Sequence, residues 1–444
     1  MRRLIVMLVM LAGSSLLFSQ TTRYVADGEN LQSAINASAS GDTIKVSKGV
    51  YGAINITFKV HIVATDPVDS VQIISSGSAV QFNFNSVGAT LTGFTITATN
   101  GVGVYSLYDV LISFCKITGC GTSGADMSAG TLLNCIIENN TVGVNGNNNL
   151  NPQIIGCKIR NNTGNGIDDF AGYASADSIT SNGSGSDAGI DLWSGATVVG
   201  CVIKSNNGYG LYARSQFNNS TAFIYSNEIS NNTLDGYQHN YSNAENIKIY
   251  NNLIKDNGGN GIQWKADISN QIVIFEIVNN VIYGNAGYGV YFNDISGSTS
   301  IFNDVILKNN IVSVNANGIG KSAAYNVSDI ILSYNDVVDN TNANYADGFT
   351  AGLHDISIDP QFTNTAANDF TLQAGSPCIN AGIPQLSLYD LDRTRNDMGI
   401  YGGSFTWKNY FNNSSSALVA KYTLSDQAVI KGENITIQAT GVVR

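Results

Sequence analysis

The stretch IYNNLIKDNGGNGIQWK, Ile249 to Lys265, sets two adjacent asparagines before an aliphatic pair, a third asparagine five residues after the second, and a glycine-rich step before Ile-Gln-Trp-Lys. Its apolar runs are too short for a helix, and it holds too much Gly and Asn for an ordinary hairpin. The same pattern recurs along the chain at intervals of roughly 20 to 30 residues. One aligned column runs from Cys115 through Cys135, Cys157, Asp177 and Cys201 to Asn227, Asn252, Asn280, Asn310 and Asn335. A second column lies five residues on, from Cys120 and Asn140 to Asn315 and Asn340. A glycine followed by an apolar residue comes next, as in Gly166-Ile167, Gly210-Leu211, Gly261-Ile262 and Gly289-Val290.

A period of this length with short β-type runs predicts one solenoid coil per repeat. The Leu-x-x-Leu-x-Leu spine of a leucine-rich repeat is absent, and no segment of the repeat has helical periodicity. Each coil is expected to hold three short strands, here Ile247–Asn251, Leu253–Lys255 and Gly261–Lys265, with a sharp bend at Asn252. Asparagine tolerates the left-handed backbone region that such a bend needs. Stacked copies would pile their asparagines into hydrogen-bonded ladders, with coils about 4.8 Å apart. The cysteines in these columns read as small buried hydrophobes replacing asparagine.

Composition supports a folded, non-nucleic-acid protein. The 444 residues are 43% hydrophobic and 12% charged, which is too apolar for disorder. A net charge of −11 argues against nucleic acid, whose binding requires Lys and Arg to displace counterions. It also means that an acidic polysaccharide would need a local basic patch or a bridging cation. The start, MRRLIVMLVMLAGSSLLFSQ, places two arginines before an apolar run and reads as a secretory signal peptide over residues 1–20, which implies a secreted or cell-surface protein. No later segment is long and apolar enough to span a bilayer.

Two further segments carry a resemblance. LQSAINASASGDTIKVSKGVY, Leu31 to Tyr51, has a short amphipathic helix pattern, a Gly-Asp turn and an alternating strand. DISIDPQFTNTAANDFTLQAGSPCINAG, Asp355 to Gly382, followed by Asp397-Met398-Gly399-Ile400-Tyr401, completes the set. With these, the chain resembles secreted right-handed parallel β-helix proteins of the pectin-lyase-like type. The second segment is similar to the C-terminal closing module of bacterial surface β-helix proteins. The resemblance implies an all-β, right-handed, single-stranded parallel β-helix with an N-terminal helical cap over residues 21–354. It further implies a closing module over 355–403 and leaves a short β-strand tail over 404–444. The chain is expected to be monomeric.

In that family ligands lie along the sheet made by the Gly-apolar strands. Alternation along the strand turns Ile167, Ile190, Leu211, Ile262 and Val290 inward. It turns Asp168, Asp191, Tyr212, Gln238, Gln263 and Tyr291 outward, and after them Phe170, Trp193, Arg214, Asn240, Lys265 and Asn293. Tyr212, Gln238, Gln263, Tyr291, Trp193 and Asn293 form a candidate saccharide-binding set, because aromatic faces pack on sugar rings and amides pair with hydroxyls. A β-eliminating lyase would need a base, for which Lys265 and Arg214 are candidates. Asp168, Asp169, Asp187 and Asp191 could hold a cation such as Ca²⁺. Asp168 and Asp191, one coil apart, could instead serve as the carboxylate pair of a glycoside hydrolase. The motifs of polygalacturonases, alginate epimerases and pectate lyases are not found in the sequence. The preferred reading is therefore a binder of extracellular polysaccharide without evident catalysis, and the alternative is a lyase or hydrolase acting on an acidic glycan. His239 falls in an inward phase and reads as core.

Overall fold

The computed structural model describes residues 20–146, 151–193, 195–214, 220–240, 246–266, 273–294, 303–323, 330–411, 418–424 and 437–442. Of the expected leader, residues 1–20, all but the last lie outside the described residues. Among the described residues no helix is long and apolar enough to cross a membrane.

The coils stack as expected. Three parallel sheets of 14, 13 and 13 strands run the length of the solenoid, and each strand pairs with the equivalent strand one coil before and one coil after. In the opening stretch the three strands are Asn246–Tyr250, Leu253–Lys255 and Ile262–Ala266, contributing to the first, second and third sheets respectively. The interior is filled by stacks of aliphatic side chains such as Ile229, Ile254 and Ile282, all fully buried. Each contributes about 1.5–3 kcal/mol of apolar burial.

Both asparagine columns form ladders. The backbone N and Nδ2 of Asn227 donate to Asn252 Oδ1 (3.0 and 2.9 Å), and those of Asn252 donate to Asn280 Oδ1 (2.9 and 3.1 Å). The series continues through Asn310 and Asn335 and ends on Asp355. The second ladder runs unbroken from Cys120 to Asn340 and closes on Asn344. Each Nδ2 also donates to the carbonyl of a preceding coil, as Asn252 does to Ile224 (2.8 Å). The cysteines imitate this second bond: Cys157 Sγ lies 3.5 Å from the equivalent carbonyl of Leu132. All six cysteines are buried free thiols.

The bend lies one residue earlier than its expected place. Asn251, not Asn252, adopts the left-handed conformation (φ 54°), and Asn279 and Asn309 do the same in later coils. The two asparagines of the pair divide the work. The second turns its amide into the ladder, and the first turns the corner and presents its amide on the flank.

At the N-terminal end the helix Leu31–Asn36 is capped by Asn30, whose side chain accepts from Ser33 N. Leu31 and Ile35 are buried under it. Gln32 meets the first strand of the third sheet, accepting from Asn55 N (2.6 Å) and donating to Asn55 O (3.1 Å). One side chain thereby pairs backbone groups that an open edge would leave free.

The C-terminal segment occupies the flank of the solenoid. After the last coil, where Phe349 packs on the core, the chain folds back along the corner between the first and second sheets. Asn251 Nδ2 donates to the carbonyls of Ile400 (3.1 Å) and Gly402 (2.6 Å). Asn279 Nδ2 donates to Asp397 O (2.7 Å), Asn309 Oδ1 accepts from Ile383 N (2.8 Å), and Ser226 Oγ donates to Phe405 O (2.6 Å). A second apolar core of Leu253, Val281, Ile311, Phe370, Met398 and Ile400 fills the seam. Beyond it, Leu418–Leu424 pairs antiparallel with Ile437–Val442.

Two carboxylates of this flank set a pH dependence. Asp336 accepts from Cys378 Sγ (3.2 Å), and burial pushes its pKa from 3.8 up to about 6. Burial does the same for Asp390, which holds Gly403 N (2.6 Å). Between about pH 4 and 6 the folded protein keeps protons that the unfolded chain has lost. The stability these groups contribute is present below that window and is lost as pH rises through it. Amide exchange over residues 370–411 is therefore expected to be slower near pH 5 than near pH 7.5, after correction for intrinsic rates. The difference should largely vanish in Asp336→Asn/Asp390→Asn. A pH-independent protection pattern in the wild type would refute the assignment.

Candidate functional site

The third sheet presents a continuous outward row. The register Asn55, Gln81, Tyr105, Asp126, Asn145, Asp168 leads, after one irregular step, into Asp191, Tyr212, Gln238, Gln263 and Tyr291. The irregularity corrects one expectation. Asp169 (φ 50°) is inserted as a bulge, and the shifted register turns Phe170 inward, where it is fully buried. The inward set Ile167, Ile190, Leu211, Ile262 and Val290 lies wholly in the core. His239 is also inside, stacked on Trp264 with ring centroids 4.2 Å apart, and burial lowers its pKa to about 3. It is a neutral core residue.

The outward residues separate into two clusters. In the first, the Arg214 guanidinium forms an ion pair with Asp191 and lies 3.5 Å from Asp168 Oδ1. Asp191 is only 2% exposed, so the arginine closes over it. Trp193 sits half-exposed beside this cluster. The four aspartates expected to gather a cation do not converge. Asp168 and Asp191 face Arg214, Asp169 lies in the bulge, and Asp187 Oδ2 holds its own turn by accepting from Ser184 N and Oγ (2.8 and 3.1 Å). Among the described residues no group of three or more His, Cys, Asp or Glu is placed to hold a metal ion. Arg214 is likewise engaged, as the ion-pair partner of Asp168 and Asp191.

In the second cluster, Tyr209 stacks on Tyr212 (ring centroids 5.1 Å apart), and Tyr288 packs against Tyr291 with the rings tilted (4.5 Å). The two pairs stand three coils apart, about 14 Å at ordinary strand spacing. Between them lie Gln238, Gln263, Asn240 and Lys265. With its amide nitrogen toward Asp235, Gln238 donates to Asp235 Oδ2 (3.0 Å) and Tyr209 Oη (3.1 Å) and accepts from Lys265 Nζ (3.1 Å). Gln263 accepts from Asn260 Nδ2 (2.8 Å). Gln238 and Gln263 are 3% and 8% exposed. They therefore brace the neighbouring side chains, while Tyr212, Tyr291, Asn240, Lys265 and Asn293 keep part of their surface open.

Asp235, Asn260, Tyr209 and Tyr288 were not among the residues expected from the sequence. Asp235 Oδ1 accepts from Asn260 N (2.6 Å), and burial raises its pKa to about 6 against the opposing pull of Lys265. A signal for all four exists in the sequence. Each lies three residues before an outward residue, across the glycine: Tyr209/Tyr212, Asp235/Gln238, Asn260/Gln263, Tyr288/Tyr291.

The model of the right-handed β-helix region matches residues 78–221 and 175–343, together more than half of the chain. The chain belongs to the right-handed β-helix family. No curated protein matches it in sequence. Among solved structures, the β-helix aligns with pectate lyase Pel9A at 16% identity over 86% of this chain and 96% of that one, with a TM-score of 0.36. The mannuronan C-5 epimerase AlgE6 A-module of Azotobacter vinelandii aligns at 14% identity over 74% and 94%, with a TM-score of 0.43. The polysaccharide lyase Pedsa3628 of Pseudopedobacter saltans aligns at 12% identity over 81% and 98%, with a TM-score of 0.41. Similarity this low transfers no residue role to the β-helix described here.

Proposed function

We propose that this protein is a secreted or cell-surface binder of extracellular polysaccharide, without catalysis, and that the third sheet between Trp193 and Asn293 is its binding face. The observation that carries this reading is the pair of tyrosine platforms, Tyr209/Tyr212 and Tyr288/Tyr291, facing outward on one sheet with amides between them. Aromatic rings give large contact area at low entropic cost, and the hydroxyls belong to the face's polar network, with Tyr209 accepting from Gln238, Tyr212 accepting from Asn240 and Tyr288 donating to Asp347. The coil spacing of about 4.8 Å is close to the advance of one pyranose in an extended glycan, so a chain lying along the axis would meet one coil per sugar. A lyase using Arg214 or Lys265 is the weaker reading, because Arg214 is held by two carboxylates and Lys265 is engaged by Gln238 beside Asp235.

The test is retention on a panel of immobilised polysaccharides. Tyr212→Ala/Tyr291→Ala is expected to weaken binding about tenfold relative to wild type, with no new absorbance from unsaturated sugar ends in either protein. Equal retention of wild type and variant on every glycan bound would overturn the assignment of the face. Production of unsaturated ends would overturn its non-catalytic character.

A further inference from the structure

We infer that the glycan accepted by this face is a neutral, hydroxyl-rich polymer, not a uronate; the inference rests on the reading of the third sheet as a polysaccharide face. A polymer carrying one carboxylate per sugar needs unpaired cations or a bridging metal along its track. Among the described residues the third sheet offers neither a cation without an ion-pair or hydrogen-bond partner nor a carboxylate cluster placed to hold a metal.

Its strands carry five aspartates, Asp126, Asp168, Asp169, Asp191 and Asp294, against three cations, Arg214, Lys265 and Lys321. Each cation is engaged. Arg214 is paired with Asp191 and Asp168. Lys265 Nζ meets Gln238 Oε1 (3.1 Å), with the Asp235 carboxylate beside it. Lys321 pairs in register with the inward Phe292, and its Nζ donates to Ser322 O (3.2 Å). The sequence that follows these strands, at 215–219, 241–245, 267–272, 295–302 and 324–329, contains no Lys or Arg, and it adds Glu245, Asp267 and Asp329. The second sheet shows that the chain can place cations in quantity, since its strands carry Lys116, Lys158, Arg160, Lys204 and Lys255 against three acids.

What the third sheet does offer suits hydroxyls. Tyrosine Oη groups and the partly exposed Asn240 and Asn293 amides are donors and acceptors for neutral sugars. Binding of this kind draws little on long-range charge and is insensitive to salt.

The experiment compares retention of the wild-type protein on xylan, arabinan, β-glucan and galactomannan with retention on polygalacturonate and alginate, at about 0.05 and 0.5 M salt. The expected result is retention on at least one neutral polymer, changing less than about twofold with salt and weakened in Tyr212→Ala, with no retention on the uronates. Retention on a uronate that high salt and Tyr212→Ala both abolish would overturn the inference while leaving the polysaccharide-binding reading intact. Failure to bind either class would overturn both. A second variant tests the cause. Asp168→Asn/Asp191→Asn releases Arg214 from its two carboxylates and is expected to raise low-salt uronate retention severalfold. A folded double variant, verified by circular dichroism, that gains none would count against charge neutralisation as the source of selectivity.

Discussion

Asn252→Ala is expected to destabilise the solenoid by about 3–5 kcal/mol. The substitution strips the acceptor from Asn227 N and Nδ2, one of two donors from Asn280 Oδ1, and the side-chain donor from the carbonyl of Ile224, while the backbone N–H of residue 252 still reaches Asn280 Oδ1. Asn252 is fully buried, so water cannot replace the lost partners without opening the corner. Each buried polar group left unpaired costs about 1–3 kcal/mol. Because each coil touches only its neighbours, the damage should be local. Amide exchange should accelerate across residues 224–230 and 278–282 and stay unchanged near Leu31–Ile56. Asn252→Cys should be milder than alanine, since Cys115, Cys135 and Cys157 direct their thiols at the equivalent carbonyls. An alanine variant within about 0.5 kcal/mol of wild type in chemical denaturation would show that the ladder is not a principal source of stability.

The second large effect is steric. A Cβ at Gly261 would stand 2.5 Å from Ile282 Cγ2, 2.7 Å from Gly289 O and 2.9 Å from Asn285 Nδ2. One of these atoms belongs to the next coil's backbone and another to the second ladder, so relief requires moving a coil. Gly210 and Gly236 meet the same trio of neighbours in their own coils. Gly261→Ala is expected to cost about 3 kcal/mol, at the upper end for overpacking, and to lower the Tm accordingly. Gly52→Ala is the control: nothing lies within 4 Å of its added carbon, and its Tm should be near that of wild type. Equal Tm values for the two variants would mean that the coils separate to admit a methyl group, contrary to the close stacking described above.

The coil was legible in the sequence because the ladder positions admit few residue types. A side chain that must both accept from one coil and donate to another has to be Asn, or a near substitute such as Asp177 or Cys157, so the column announces itself. The bend was misplaced by one residue because Asn251 and Asn252 are the same amino acid, and composition alone cannot say which one turns and which one points inward. Phe170 was misassigned because alternation assumes an unbroken strand, and the single inserted Asp169 reverses every side chain after it. Asp235 and Tyr209 were missed because the strand pattern starts after the glycine, whereas the binding face continues across it. The burial of Gln238 and Gln263 could not be read from alternation, which says which way a side chain points and nothing about what covers it. The docking of 383–405 on Ser226, Asn251, Asn279 and Asn309 joins residues more than seventy positions apart, and no local pattern encodes such a pairing.

That flank contact acts as a ruler. From Ser226 to Tyr334 the returning chain meets one corner residue from each successive coil, and Arg395 closes the series over the Tyr334 ring. Adding or deleting a coil inside this interval would put every later tooth out of step with its notch. A coil inserted ahead of Thr197 would leave the measured interval intact. Relatives of different length, and engineered elongations meant to widen the tyrosine-bearing surface, should therefore gain their extra turns in the N-terminal half.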